Sequence, residues 1–218
     1  MTLDNSFELF CRLKKLNLLA YSPKYWWPKT FSFEVVIGAV LTQNTRWENV
    51  EKSLQNLHSR SFLQNQDQQD LEKMAQIDLM ALEECIVSSG FYRQKAARIQ
   101  SLSQNILETF SCFENFQRNV TRQWLLEQRG IGFESADSIL NYACKRDVMV
   151  IDRYTQKMLY SLGWEFEDYL SLQEWCERGI RENLDQLEEY ENLCHIFARF
   201  HGKIVEFSKR KLEIKCLF

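Results

Sequence analysis

The sequence predicts an all-α fold. Seven glycines and two prolines in 218 residues leave few breaks between amphipathic runs. No stretch sustains the period-two alternation of a half-buried strand. Apolar residues instead recur at helical spacing, as at Ala136, Ile139, Leu140 and Ala143. A chain of this length can bury a substantial core.

The elements follow in order. A first helix over about 6–19 carries Arg12, Lys14 and Lys15, so it does not read as a signal peptide, and no apolar run approaches a membrane span. The expectation is a cytosolic monomer with no membrane contact. Helices are expected over about 31–43, 46–58, 70–88 and 91–110, with the glutamine-rich patch Gln64–Gln69 as a polar loop. The helix over 119–128 owes its buried face to Trp124–Leu126, and the next spans 133–144. Four more are expected over 152–162, 171–182, 186–200 and 203–214, with Gly202 starting the last. Trp124, Trp164 and Trp175 are assigned to the core.

Between the helices of 119–128 and 133–144 lies Arg129-Gly130-Ile131-Gly132. Two glycines one residue apart let the backbone turn tightly around the apolar plug Ile131, and the next helix offers its first N–H groups to an anion. Val150-Ile151-Asp152 follows. Three further segments stand out: Phe33–Thr45, Ser89-Gly90-Phe91-Tyr92-Arg93-Gln94-Lys95-Ala96, and Tyr25-Trp26-Trp27-Pro28.

The first two of these segments, the hairpin and the aspartate, in that order along the chain, resemble the endonuclease III superfamily of DNA glycosylases. The aromatic segment and the lack of cluster cysteines are most similar to its bacterial 3-methyladenine DNA glycosylases. The resemblance implies a two-lobed helix-hairpin-helix fold. Residues 1–30 and 145–218 would form the terminal lobe and 31–144 the central lobe, ending in the helix-hairpin-helix at about 119–144. The active site would lie in the cleft between them, with double-stranded DNA containing alkylated bases as partner.

Asp152 falls at the catalytic position of that family. A carboxylate near C1′ stabilises the oxocarbenium-like sugar as a base leaves and can orient the attacking water. The plainer reading of such an aspartate is a helix N-cap. Bifunctional relatives place a lysine two residues past the second hairpin glycine, where its amine forms a Schiff base. Glu134 stands there, so base removal without strand cleavage is expected. Glu134 either borders the pocket or is an exposed first-turn acid favoured by the helix dipole.

Trp26, Trp27, Pro28 and Trp47 are candidates for a pocket that stacks on a flipped, positively charged purine. Lys209 is carried over from the pocket edge of similar glycosylases, with phosphate contact or solvation as the alternative. Gln43, Asn44 and Thr45 occupy the family's DNA-wedge position, or else cap a helix. Three functions remain open: a monofunctional glycosylase for alkylated cationic purines such as 3-methyladenine, a glycosylase for a mismatched or oxidised base, and a noncatalytic DNA-binding module.

Net charge is −3, yet from Arg199 onward Arg199, Lys203, Lys209, Arg210, Lys211 and Lys215 face only Glu206 and Glu213. This terminal stretch could meet the phosphate backbone, or it could be an ordinary solvated face. The seven cysteines form no C-x-x-C pair and the three histidines are scattered, so no metal site and no iron–sulfur ligands are expected. Something else must tie down the carboxy terminus, and Lys203 is one candidate. A buried ammonium needs a carboxylate, a depressed pKa or a charge-changing modification such as carbamylation, whereas a solvent-exposed lysine needs none.

Overall fold

The computed structural model describes residues 3–218. Among these, all regular structure is helical. The chain divides into two compact units, one of the residues up to Pro28 together with Arg146–Phe218, the other of Lys29–Lys145. No helix of the described residues is long and apolar enough to cross a membrane.

Helix α1 (Ser6–Lys15) is capped by Asn5, whose side chain accepts from Glu8 N at 2.9 Å. It stops short of the expected residue 19, and two residues on Asn17 takes φ 49°. In the Lys29–Lys145 unit, every residue of α2 (Phe33–Leu41) except Glu34 is buried. A helix that is apolar on all sides belongs in the centre. Against it pack α3 (Trp47–Ser59), α4 (Asp67–Gln76), α6 (Tyr92–Phe110) and α9 (Phe133–Ser138), while α5 (Leu79–Ile86), α7 (Phe113–Asn119) and α8 (Arg122–Leu126) pack on those helices. Helix α9 continues into a wide π turn, Ile139–Ala143. Helices α4 and α6 pack along each other, as do α3 and α5.

Several expected boundaries are corrected. The run 70–88 is two helices, because Ile77 is extended and the Asp78 carboxylate caps α5 through Ala81 N at 2.9 Å. Helix α4 starts at Asp67, so half of the glutamine-rich patch is helical rather than loop. Helix α7 was not expected at all. The Cys112 thiol caps it, accepting from Asn115 N at 3.5 Å, and sulfur is an inconspicuous cap in a sequence.

Lys95 ties this unit together. It is 1% exposed and donates to Leu41 O at 2.8 Å and Ser89 O at 2.7 Å, joining the end of α2 to the turn before α6. Burial, aided by Arg98, lowers its pKa to about 8.

The other unit adds α10 (Arg153–Ser161), α11 (Tyr169–Arg181) and α12 (Leu193–Lys209) to α1. Phe10, Leu13, Ile180, Phe197, Phe200 and Ile204 form the middle of its core. Each such side chain, fully buried, contributes about 1.5–3 kcal/mol. The two helices expected over 186–200 and 203–214 are one. Asn192 caps α12, and Gly202 lies inside it rather than at a start. The indole of Trp26 rests against Gly202, where a Cβ would lie 2.8 Å from Trp26 Cδ1. Gly202 is therefore a packing glycine. Of the tryptophans assigned to the core, Trp175 is buried, while Trp124 and Trp164 are half-buried. Trp124 packs on Phe110 at 5.0 Å and Trp164 on Trp175 at 4.9 Å between ring centres.

Lys203 is buried, with its ammonium 4.4 Å from the Phe10 ring centre and 3.4 Å from Tyr190 Oη. Burial, then the Arg199 and Lys14 charges, lowers its pKa to about 7. The aromatic faces offset part of the desolvation.

Candidate active site

Asp152 is the N-cap of α10 and is 9% exposed. The segment before it has no regular structure, so its backbone groups need other partners. Helix α11 supplies them. Glu177 Oε1 accepts from Met149 N at 2.8 Å, Gln173 Nε2 donates to Met149 O at 2.5 Å, and Tyr169 Oη accepts from Ile151 N at 3.2 Å. These bonds fix where the aspartate emerges.

The two oxygens of Asp152 have different surroundings. Oδ1 accepts from Thr155 N and from Thr155 Oγ1, both at 2.8 Å. Oδ2 lies 3.4 Å from His201 Nε2, on α12. Burial pushes the carboxyl pKa up, but His201 and the two Thr155 bonds outweigh it and hold it below its ordinary value. The group is a carboxylate at neutral pH.

Trp26 stands on the same side. Its ring meets that of His201 edge to face, with centres 5.1 Å apart and planes at 77°. Its φ is +68°, a strained conformation for a bulky residue, and Pro23 O accepts from its N–H at 2.8 Å. The surrounding loop is clamped onto α12. Arg199 donates to Ser22 Oγ at 2.8 Å and Leu19 O at 3.2 Å, Arg210 donates to Leu18 O at 2.7 Å, and His195 Nε2 lies 3.1 Å from Lys24 O. Of the basic residues proposed to meet phosphates, Arg199 and Lys203 are thus engaged inside the fold, and Arg210 is exposed with one donor on Leu18 O. Lys209 and Lys211 are exposed. Trp27 is buried at 7% exposure, Trp26 is half-buried and Pro28 is exposed.

The Lys29–Lys145 unit holds the hairpin. Gly130 takes φ +79°, and a Cβ there would lie 2.6 Å from the Arg98 guanidinium carbon. Only glycine fits. Arg98 donates to Gln43 Oε1 at 2.8 Å, and Gln43 Nε2 donates to Gly130 O at 2.9 Å and Ser135 Oγ at 3.0 Å. These bonds hold the turn. Ile131 is buried as its plug, at 6% exposure.

Gly132 does not need φ > 0, because it caps α9 at φ −100° in open space. Its missing side chain leaves the first N–H groups of α9 open to an approaching anion. Arg129 and Glu134 are exposed beside it. In the wedge loop, the amide of Gln43 is bonded to the hairpin, while Asn44 is exposed at φ +51° and Thr45 is half-buried. Trp47 is the half-buried first residue of α3.

Sequence reasoning passed over His201 and Arg98. The first had a signal: on α12 it lies in line with the buried Phe197 and Ile204, where a polar residue needs a partner. Arg98 had none, since only the folded turn brings Gly130 to it. No three His, Cys, Asp or Glu side chains come together for a metal ion among the described residues.

An all-helical chain with a glycine hairpin gripped by Arg98 and Gln43, and a buried carboxylate heading a helix, defines a helix-hairpin-helix DNA glycosylase fold. Residues 37–182 match the family model of the HhH-GPD superfamily base excision DNA repair proteins, and the chain belongs to that family. It is similar to the crystal structure of the H. pylori 3-methyladenine DNA glycosylase bound to 1,N6-ethenoadenine, at 54% identity and TM-score 0.94, covering 96% of this chain and 100% of that one. A Methanocaldococcus jannaschii protein, named as a provisional DNA repair glycosylase, is 34% identical over 98% of this chain and 93% of its own length. Endonuclease III of Thermotoga maritima is 29% identical over 84% of this chain and 75% of its own. These findings place the chain among the DNA glycosylases of base excision repair, with DNA as its partner.

Proposed function

We propose that the protein is a monofunctional glycosylase that removes alkylated, positively charged purines, chiefly 3-methyladenine, from double-stranded DNA. The observation that carries the proposal is the ionised, buried Asp152 carboxylate with the Trp26 indole packed on the same imidazole. The 54% identity to a 3-methyladenine glycosylase along nearly the whole chain supports the choice of lesion.

The chemistry follows from charge. A purine methylated at a ring nitrogen is cationic and leaves neutral, so it needs little proton donation. As the glycosidic bond stretches, positive charge moves to the sugar, and a carboxylate held below its ordinary pKa in a poorly solvated site stabilises it. The same carboxylate orients the attacking water. The half-buried Trp26 supplies an aromatic face for the extruded base, with Trp27, Pro28, Lys209 and Glu134 as further candidate pocket residues. Trp47 is a second stacking candidate, and the loop of Gln43, Asn44 and Thr45 fills the space the nucleotide leaves. The hairpin Arg129–Gly132 holds the DNA backbone.

Glu134 stands where bifunctional relatives carry an amine. A carboxylate forms no imine with C1′, so the reaction ends at the abasic site. The cysteines are dispersed in the sequence with no C-x-x-C pair, so the reaction proposed uses no iron–sulfur cluster.

The test is chromatography of bases released from duplex DNA methylated with dimethyl sulfate. Wild-type protein should release 3-methyladenine, and Asp152→Asn should bind DNA as before while releasing it at least a hundredfold more slowly, roughly the loss seen when one transition-state stabiliser is removed. Near-normal turnover by Asp152→Asn would overturn the assignment. Release of oxidised or mismatched bases alone, or binding without release, would favour the other two readings.

A further inference from the structure

Thr155 alone would account for Asp152 as an ordinary helix cap. Both of its bonds go to Oδ1, leaving the carboxylate free to turn about the bond that carries it. A cap asks nothing of the second oxygen. Here Oδ2 meets a histidine that is 4% exposed, contributed by a different helix and far away in sequence.

We propose that His201 is a positioning residue for base excision: its Nε2–H donates to Asp152 Oδ2, fixing the carboxylate plane, while its ring carries the Trp26 indole that receives the base. The inference rests on the reading of Asp152 as the reacting carboxylate. It goes further in coupling the two halves of the site, the charge and the stacking face, through one side chain.

Three features on α12 support it. His201 Nε2 lies 3.4 Å from Oδ2, within ion-pair reach and longer than an ordinary hydrogen bond, and catalytic bonds commonly tighten only when substrate is bound. The ring stands edge-on to Trp26, so its orientation is set by the indole as well as by the carboxylate. The next residue, Gly202, removes the one Cβ that would push the indole away. Together they build a continuous contact from carboxylate to imidazole to indole. The tautomer with its proton on Nε2 is the one that fits, because a carboxylate only accepts.

A structural role would show as lost stability, and a positioning role as lost rate that a matching donor restores. Glutamine can place its amide nitrogen near the position of histidine Nε2, whereas asparagine falls short and leucine offers no donor. Single-turnover release of 3-methyladenine, with enzyme in excess over methylated duplex, would separate maximal rate from half-saturation.

For His201→Leu and His201→Asn, the maximal rate is expected to fall about ten- to a hundredfold, the worth of one charge-assisted hydrogen bond, with half-saturation unchanged. His201→Gln should recover to within about fivefold of wild type on the same reasoning. Equal losses for Gln and Asn, or losses that track melting temperature, would overturn the inference, as would a full rate for either Leu or Asn. If His201→Leu does not fold, the comparison of Gln with Asn decides. Asp152→Asn run in parallel distinguishes the failures. An active Asp152→Asn defeats the reading of Asp152 itself, whereas an inactive one beside a fully active His201→Leu defeats only the role given to His201.

Discussion

Replacing Gly202 with alanine tests whether the Trp26 indole is seated as described. In an exposed helix interior the change would help, since alanine is favoured over glycine by about 0.8–1 kcal/mol. Here the new methyl would lie 2.8 Å from both Trp26 Cβ and Trp26 Cδ1, and nearer still to Cγ. Ordinary carbon contacts begin near 3.5 Å, so the ring must retreat by roughly an ångström. It is confined by His201 on one side and by Trp27, edge-on at 6.3 Å, on another.

Overpacking of this kind costs about 1–3 kcal/mol. Less the helical gain, the expected net loss is about 1 kcal/mol, or roughly 2–4 °C in melting temperature for a chain of this size. In a Trp26→Ala background the obstruction is gone, and the same Gly202→Ala change should instead raise the melting temperature by a similar amount. The measurement is a double-mutant cycle by thermal melts, with a coupling of about 2 kcal/mol expected. Single-turnover release of 3-methyladenine by Gly202→Ala should drop as the indole shifts. Additive effects in the two backgrounds would refute the placement of Trp26 over Gly202.

Two other outcomes follow from the site and the fold. Borohydride should trap no covalent protein–DNA adduct, because Glu134 cannot form an imine, and a shifted band on a denaturing gel would contradict this. Lys203 carries a folded pKa of about 7 against an ordinary 10.5, so between those values the unfolded chain binds more protons and this residue's contribution to stability rises with pH. Its full penalty is present below about pH 7. Lys203→Met should therefore melt higher than the parent at pH 7, with the gap closing toward pH 10. A variant no more stable at any pH would show that the charge is compensated in the fold.

The helical class, the hairpin and the aspartate that heads α10 were legible in the sequence, because each depends on local chemistry. Helical spacing of apolar residues marks a buried face wherever it docks. The φ of +79° at Gly130 is a local demand, and so is the capping of α10 by Asp152. The split at Asp78, the thiol cap at Cys112 and the single helix through Gly202 were not legible, since each depends on a weak signal or on what lies opposite.

Gly202 shows the difference most directly. In the sequence it reads as a break; in the fold it is the space that Trp26 fills. The charges behave in the same way. Arg199 and Arg210 read as a phosphate-binding face, yet loop carbonyls at Leu19 and Leu18 take their donors, while Lys203 turns inward onto Phe10. Local propensity and capping are properties of a few adjacent residues and can be read along the chain. The partner of a buried histidine, a guanidinium or a missing Cβ comes from far away in sequence, and only the packed tertiary structure brings His201 to Asp152.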